Sequence, residues 1–195
     1  MEIRLAMRNV ILPAFEKYPA EAAIIGRLLA GYAEIEIGLM HCVQVVRDEL
    51  DTALKVMFRA RGETARIDIA DALGRQHYDS LNLGTEFSMS VSDARWCMKV
   101  RNKFAHCTWH DDNSGKLAFV NLEELAKLNT PVKDLMGLTA YHVDVPILQD
   151  FEKYFILTDV YTIWVNHEGR LRAKKTKINP LPKPKRMQQP PLDLP

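Results

Sequence analysis

The chain of 195 residues carries 26 Lys and Arg against 25 Asp and Glu, is 47% hydrophobic and has three cysteines. That length suits one domain with appendages, large enough to bury a core without disulfides, and Cys42, Cys97 and Cys107, which form no Cys-x-x-Cys pair, suit reduced thiols in a cytosolic protein. Arg4, Arg8 and Pro13 interrupt the secretory pattern at the N-terminus, and no apolar stretch approaches the about 18 residues of a membrane span, so a cytoplasmic location without a membrane partner is expected.

Residues 1 to 19 mix apolar and charged groups around Pro13 and Pro19, which reads as a short helix or an irregular arm on the body. A long helix is predicted from near Ala20, where Ile25, Leu28, Leu29, Tyr32, Ile35, Leu39, Val43, Val46 and Leu50 recur at three- and four-residue intervals. With Ile25 at zero on the helical wheel, Glu36 falls at about 20°, among Tyr32, Leu39 and Val43, and should be buried. Glu34 and His41 fall near the opposite side and read as solvated. A lone core carboxylate needs a partner, and Arg101, the one cation similarly placed on its own helix, is the expected one. The alternative is a protonated Glu36, or one that meets a second subunit.

Asp51-Thr52 offers an N-cap for a segment ending near Arg61, with Gly62 as its C-cap. Thr64 to Leu81 gives a second helix, followed by the turn Asn82-Leu83-Gly84. Arg59, Arg61, Arg66, Arg75 and His77 can form a basic rim there, although their interleaving with Asp68, Asp71 and Asp79 favours an ordinary solvated face. Ser90 or Ser92 can cap the next helix, which carries Arg101 to Ala105 in its final turns. Cys107 to His110 and Lys116 to Val120, joined by the turn cluster Asp111 to Gly115, read as a β-hairpin. Asn121 to Glu124 has capping-box spacing for a short helix to about Leu128, Thr139 to Val145 alternates as a third strand, and Pro146, after Asp144 as a cap, opens a last helix with Leu148, Phe151, Phe155, Val160 and Ile163 inward.

The fold class read from this order is mainly α: an antiparallel helical bundle over residues 1–166 with a small β insertion at about 107–145 after the motif helix. Residues 167–195 read as a disordered basic proline-rich tail. Six of the ten prolines lie from Pro180 to Pro195, and from His167 onward eight cations face two acids, a charge of +6 that leaves the remaining 166 residues at −5. Proline density of this kind disfavours both a core and a regular helix. Lys174, Lys175, Lys177, Lys183, Lys185 and Arg186 are weak candidates for nucleic-acid contact, and truncation after Trp164 is expected to spare stability. A mildly acidic body with a basic tail does not resemble a dedicated duplex-binding domain, whose own surface would be basic.

The densest chemistry is Arg101-Asn102-Lys103-Phe104-Ala105-His106, a guanidinium, a carboxamide and an imidazole within six residues. At about 100° per residue, Asn102 and His106 form an i, i+4 pair able to share a cleft, while Arg101 lies about 140° from His106 and must pair internally or reach round on its long stem. A structural reading makes Arg101 an ion-pair residue and His106 a dipole cap. The spacing resembles the signature of the HEPN superfamily, in which an Arg, often followed by Asn, precedes a His by four to six residues. Arg101, Asn102 and His106 carry the match, and the following Cys107, Thr108 and Trp109 also look like many members.

That resemblance implies a four- or five-helix up-down bundle that dimerises with two motifs facing one cleft, and metal-independent endoribonuclease activity in a toxin or defence component with an antitoxin or regulatory partner. Catalytic roles would fall to Arg101, Asn102 and His106, with Glu36 in support. The chemistry agrees. Internal attack of an RNA 2′-hydroxyl needs a proton-transfer group near neutral pKa, a cation for the developing charge and an orienting group, and histidine and arginine suit the first two. The family also contains members that bind RNA or protein without cutting, and the hairpin and long tail depart from its shorter domains. No cofactor is expected. A metal site at His106, Cys107, His110 and Asp111 or Asp112 is disfavoured because a strand at Thr108 breaks the helical ligand spacing.

Overall fold

The computed structural model describes residues 12–127 and 140–192. Proline opens the first two helices, α1 (Pro13–Lys17) and α2 (Pro19–Arg47), at the position where a missing N–H costs nothing. α2 ends at Asp48, whose φ of 59° turns the chain, so Leu50 leaves the apolar face expected for it and is exposed at the start of α3 (Leu50–Phe58). Gly62 is not a C-cap. At φ 86° it is instead the N-cap of α4 (Glu63–Ser80), which a turn then joins to α5 (Gly84–Ala105).

α5 begins six residues before the expected Ser90. Leu83 and Phe87 are fully buried, and this apolar anchoring overrides a serine cap: Ser90 lies inside the helix with its hydroxyl buried. The strands follow the predicted pattern. β1 (Cys107–His110) pairs antiparallel with β2 (Leu117–Asn121), and after α6 (Leu122–Ala126) the sheet is completed by β3 (Tyr141–Val143) in the order β1-β2-β3. The predicted ends at Leu128 and Thr139, like residues 1–11 of the arm, lie outside the described residues. Asn121 caps α6 by accepting from the Glu123 and Glu124 N–H groups.

The last helix, α7 (Val145–Arg172), has Asp144 as its cap, accepting from the Ile147 N–H at 3.1 Å. It runs past Trp164, where the sequence suggested an end. Buried Val165, Asn166 and Gly169 continue its inward face, and Glu168 and Arg172 form an i, i+4 pair at 2.9 Å.

Among the described residues the protein is therefore mainly helical, with seven helices and one three-stranded antiparallel sheet. α4 and α5 are antiparallel neighbours, as Arg95 with Asp68 and Arg75 with Ser88 show. α2 and α7 depart from the antiparallel expectation. Arg27 bonds Glu152 near their first turns and Gln44 bonds Arg170 near their last, so these two long helices run parallel. The reversal is set before the sheet: α4 already runs parallel to α2, as Glu36 with Arg66 and Cys42 with Tyr78 show, so α7, entered from the end of the antiparallel α5, takes the direction of α2. The Phe104, Trp109 and Phe119 rings meet in tilted and edge-to-face pairs with centroids 5.0–5.7 Å apart, holding the sheet against the last turns of α5.

The segment after Arg172 carries no helix or strand among the described residues, yet it is not a free tail. Leu181, Met187 and Leu192 pack on the core, Lys183 pairs with Glu86, and Arg186 reaches the buried carboxylate of Asp93 at 2.7 Å. Proline removes regular structure but permits an extended ribbon, and fixed partners along the body hold it there.

Candidate functional site

Three helices meet beneath the motif. Arg101 on α5 pairs with Glu63 in the first turn of α4 at 3.1 Å, and Glu36 on α2 pairs with Arg66 one turn further along α4 at 2.8 Å. The expected Glu36–Arg101 pair is thus replaced by two pairs sharing one face of α4. Glu63 and Arg66 are three residues apart and lie together, and an acid in the first turn of a helix is favoured by its dipole.

Glu36 is 5% exposed and its Oε1 has no hydrogen-bond partner, like the nearby Tyr32 hydroxyl and the Arg66 Nε. Burial pushes the Glu36 carboxyl up against the pull of Arg66. Burial, reinforced by Glu36 and Glu63, likewise pushes the Tyr32 phenol far above its usual range.

On the outer side of this network, the Arg101 guanidinium donates to Asn102 Oδ1 at 3.0 Å. Asn102 lines a cleft of about 360 Å³ with Lys99, Lys103, Asn121, Glu123 and Lys127; neither Arg101 nor His106 is among its lining residues. His106 stands beside it. Its N–H donates to Asn102 O at 3.1 Å, its carbonyl accepts from Leu122 at 3.1 Å, and its imidazole, 47% exposed, lies 3.8 Å from Glu123. The backbone is consequently held on both sides while the ring is open to solvent. Asn121 adds a tie by donating to the Lys103 carbonyl of α5 at 3.3 Å.

Lys103, Glu63, Arg66 and Asn121 enter this site without having been singled out by motif spacing. Lys103 sits over the Tyr141 ring at 4.2 Å and 3.7 Å from Glu124. Asn121 was visible as a cap, but not as a tie to α5. Glu63 and Arg66 carry no distinguishing signal in a helix whose charges are interleaved throughout.

The tail cations divide into two sets. Lys175 bonds the Val45 carbonyl and Asp48 at 2.8 Å each, Lys183 pairs with Glu86 and covers Trp164, and Arg186 pairs with Asp93. Lys174, Lys177 and Lys185 are exposed.

Burial raises the Cys107 thiol to about 12, and its sulfur donates to the Phe104 carbonyl, so it offers no ready thiolate. Asp111 is held by Lys17 and Tyr18 and Asp112 by His142, which engages those carboxylates away from His106. Among the described residues no group of three or more His, Cys, Asp or Glu is arranged to hold a metal ion. A larger, mainly apolar groove of about 680 Å³ lies between α2 and α7. Some of its polar groups satisfy one another, since Arg170 bonds Gln44 and Asn166, and Asn166 bonds the His41 carbonyl. Glu34 and Asp159 line it as like charges, and burial, reinforced by Glu34, raises the Asp159 carboxyl. The exposed imidazole and lysine-lined cleft at the end of α5 are better disposed towards an anionic substrate. Among known proteins, no family model, curated sequence or solved structure matches the chain.

Proposed function

We propose that the protein is a metal-independent RNA endonuclease of HEPN type. The observation that carries this reading is the last turn and a half of α5, where Arg101 meets the Asn102 carboxamide at 3.0 Å and His106 presents a half-exposed imidazole beside the same cleft. In the reaction, the 2′-hydroxyl oxygen attacks the adjacent phosphorus, His106 accepts its proton, and the 5′-oxygen leaves with a proton from a second group. Arg101, with Asn102, faces the charge that develops on the phosphoryl oxygens. Each chain brings one such histidine, so a homodimer with two motifs at one cleft would supply the second proton carrier.

The test uses purified protein, structured and single-stranded RNA, and a chelator. Cleavage leaving 2′,3′-cyclic phosphate and 5′-hydroxyl ends is expected, and His106→Ala should lower its rate by about 10²–10⁴. Equal cutting by the variant would sink the assignment of His106.

A second reading, a dimeric RNA- or protein-binding module without chemistry, is favoured by one contact: Glu63 already occupies the Arg101 guanidinium. It predicts RNA retention without cleavage in both proteins.

A further inference from the structure

The ribbon after α7 follows one track. Asn179 bonds the Trp164 carbonyl and Glu168 on α7; Lys183 crosses to Glu86 on α5 while covering Trp164 at 5.1 Å. Arg186 then reaches Asp93, about two turns further along α5, and lies over the Tyr161 ring at 4.8 Å. Gln189 contacts the Tyr154 hydroxyl, and Leu192 lines the same cleft as Lys99 and Asn102. The described ribbon thus descends the crevice between α5 and α7 and reaches the cleft beside Asn102 at Leu192.

Its middle is a built latch. Asp93 sits in the interior of α5, 5% exposed, and accepts from Tyr154 at 2.7 Å and from Arg186 at 3.1 Å on one oxygen, while its other oxygen meets Arg186 at 2.7 Å. An aspartate in mid-helix has low propensity and a buried charge needs a partner: the Tyr154 hydroxyl ties this carboxylate to α7, and its charge is met by Arg186 of the ribbon. We propose that residues 179–192 are a releasable strap, latched by Asp93 and Arg186, whose end covers the motif cleft and competes with substrate for it. This inference rests on the proposed RNA function for its substrate. The strap itself is read from contacts alone.

Competition follows from placement and charge. Leu192 stands on the wall of the cleft, where a bound polynucleotide would meet it, and a polyanion also attracts Lys183 and Arg186 away from Glu86 and Asp93. If the strap is seated nine-tenths of the time, apparent affinity falls about tenfold, because only the open fraction binds.

The full chain is compared with Asp93→Asn, which keeps the shape of the latch without its charge, and with a chain ending at Lys177; combining the two avoids stranding the carboxylate if the shortened chain fails to fold. Three readouts are taken: trypsin cleavage after Arg186 in the two full-length forms, acetylation of Lys99 and Lys103 relative to exposed Lys153, and binding of a 2′-O-methyl oligoribonucleotide that cannot be cut. Faster cleavage in Asp93→Asn, several-fold higher Lys99 and Lys103 labelling in both released forms, and about tenfold tighter binding are expected. Released ribbon with unchanged labelling, or weaker binding by the shortened chain, would overturn the strap. Increased labelling with no RNA bound by any form would support the cover and overturn the RNA reading instead.

Discussion

Removing the Glu36 carboxylate leaves Arg66 with its charge, no partner at that position and an Nε already unsatisfied. Breaking a buried pair from one side costs about 3–5 kcal/mol, and because Arg66 keeps a quarter of its side chain exposed, Glu36→Ala should fall near the lower end. A denaturant double-mutant cycle should show coupling of Glu36 with Arg66 and much weaker coupling with Arg101; the reverse order would contradict the observed pairing. The same carboxyl sets a pH dependence. Its folded pKa is raised by burial above the usual value of about 4.3, so its favourable contribution is complete below that value and is lost as pH rises through the folded pKa. Relative to Glu36→Gln, which does not titrate, the natural chain should lose stability on raising pH across this window, and midpoints measured at a series of pH values would reveal the divergence. The helical wheel made the burial of Glu36 legible but not its partner. Periodicity gives the azimuth of a side chain on its own helix; which cation lies opposite depends on packing, and Arg66 sits among acids that make its helix look solvated.

Two glycines separate backbone propensity from packing within the helices. At Gly26 an added Cβ meets nothing within 4 Å, so Gly26→Ala should stabilise α2 by about 0.5–1 kcal/mol. At Gly74 the added carbon would lie 2.4 Å from the tip of Phe87, a ring stacked on Tyr78 with centroids 4.5 Å apart. Overpacking at such a site costs about 1–3 kcal/mol and outweighs the propensity gain. Thermal midpoints should therefore rise for Gly26→Ala and fall for Gly74→Ala; a rise for both would mean that Phe87 can move aside. Contacts of this kind also explain which boundaries the sequence concealed. Phe87 and Leu83 start α5 ahead of Ser90, and side chains buried on α7 carry it beyond Trp164. Local cap residues were informative where nothing larger competed, as at Asp144 and Asn121.

Across the molecule, the end of the chain belongs to the body that its composition seemed to exclude it from. Ending the chain at Lys177 removes Arg186 from Asp93 and should destabilise the fold by less than the about 3–5 kcal/mol of a fully buried pair, since Arg186 retains a third of its exposure. Asp93→Asn should reduce that loss by removing the stranded charge. Equal losses in the two backgrounds, measured by chemical denaturation, would show that apolar contacts of Met187 and Leu192 dominate instead. The motif was legible as a sequence cluster, whereas the strap was not: prolines and lysines announce an extended chain without saying what lies beneath it.

The parallel pairing of α2 with α7 also bears on how the molecule is made. His41 and Asn166, joined directly, are 125 residues apart in the chain, so the longest early helix must wait for the last one before its inner face is covered. Contacts of such separation carry a loop-closure cost that local pairs such as α4 with α5 avoid, and they slow folding. During synthesis, the face of α2 that carries Gly38, His41 and Cys42 would thus remain unshielded until α7 has emerged, so the native packing of α2 is completed only after that helix is made.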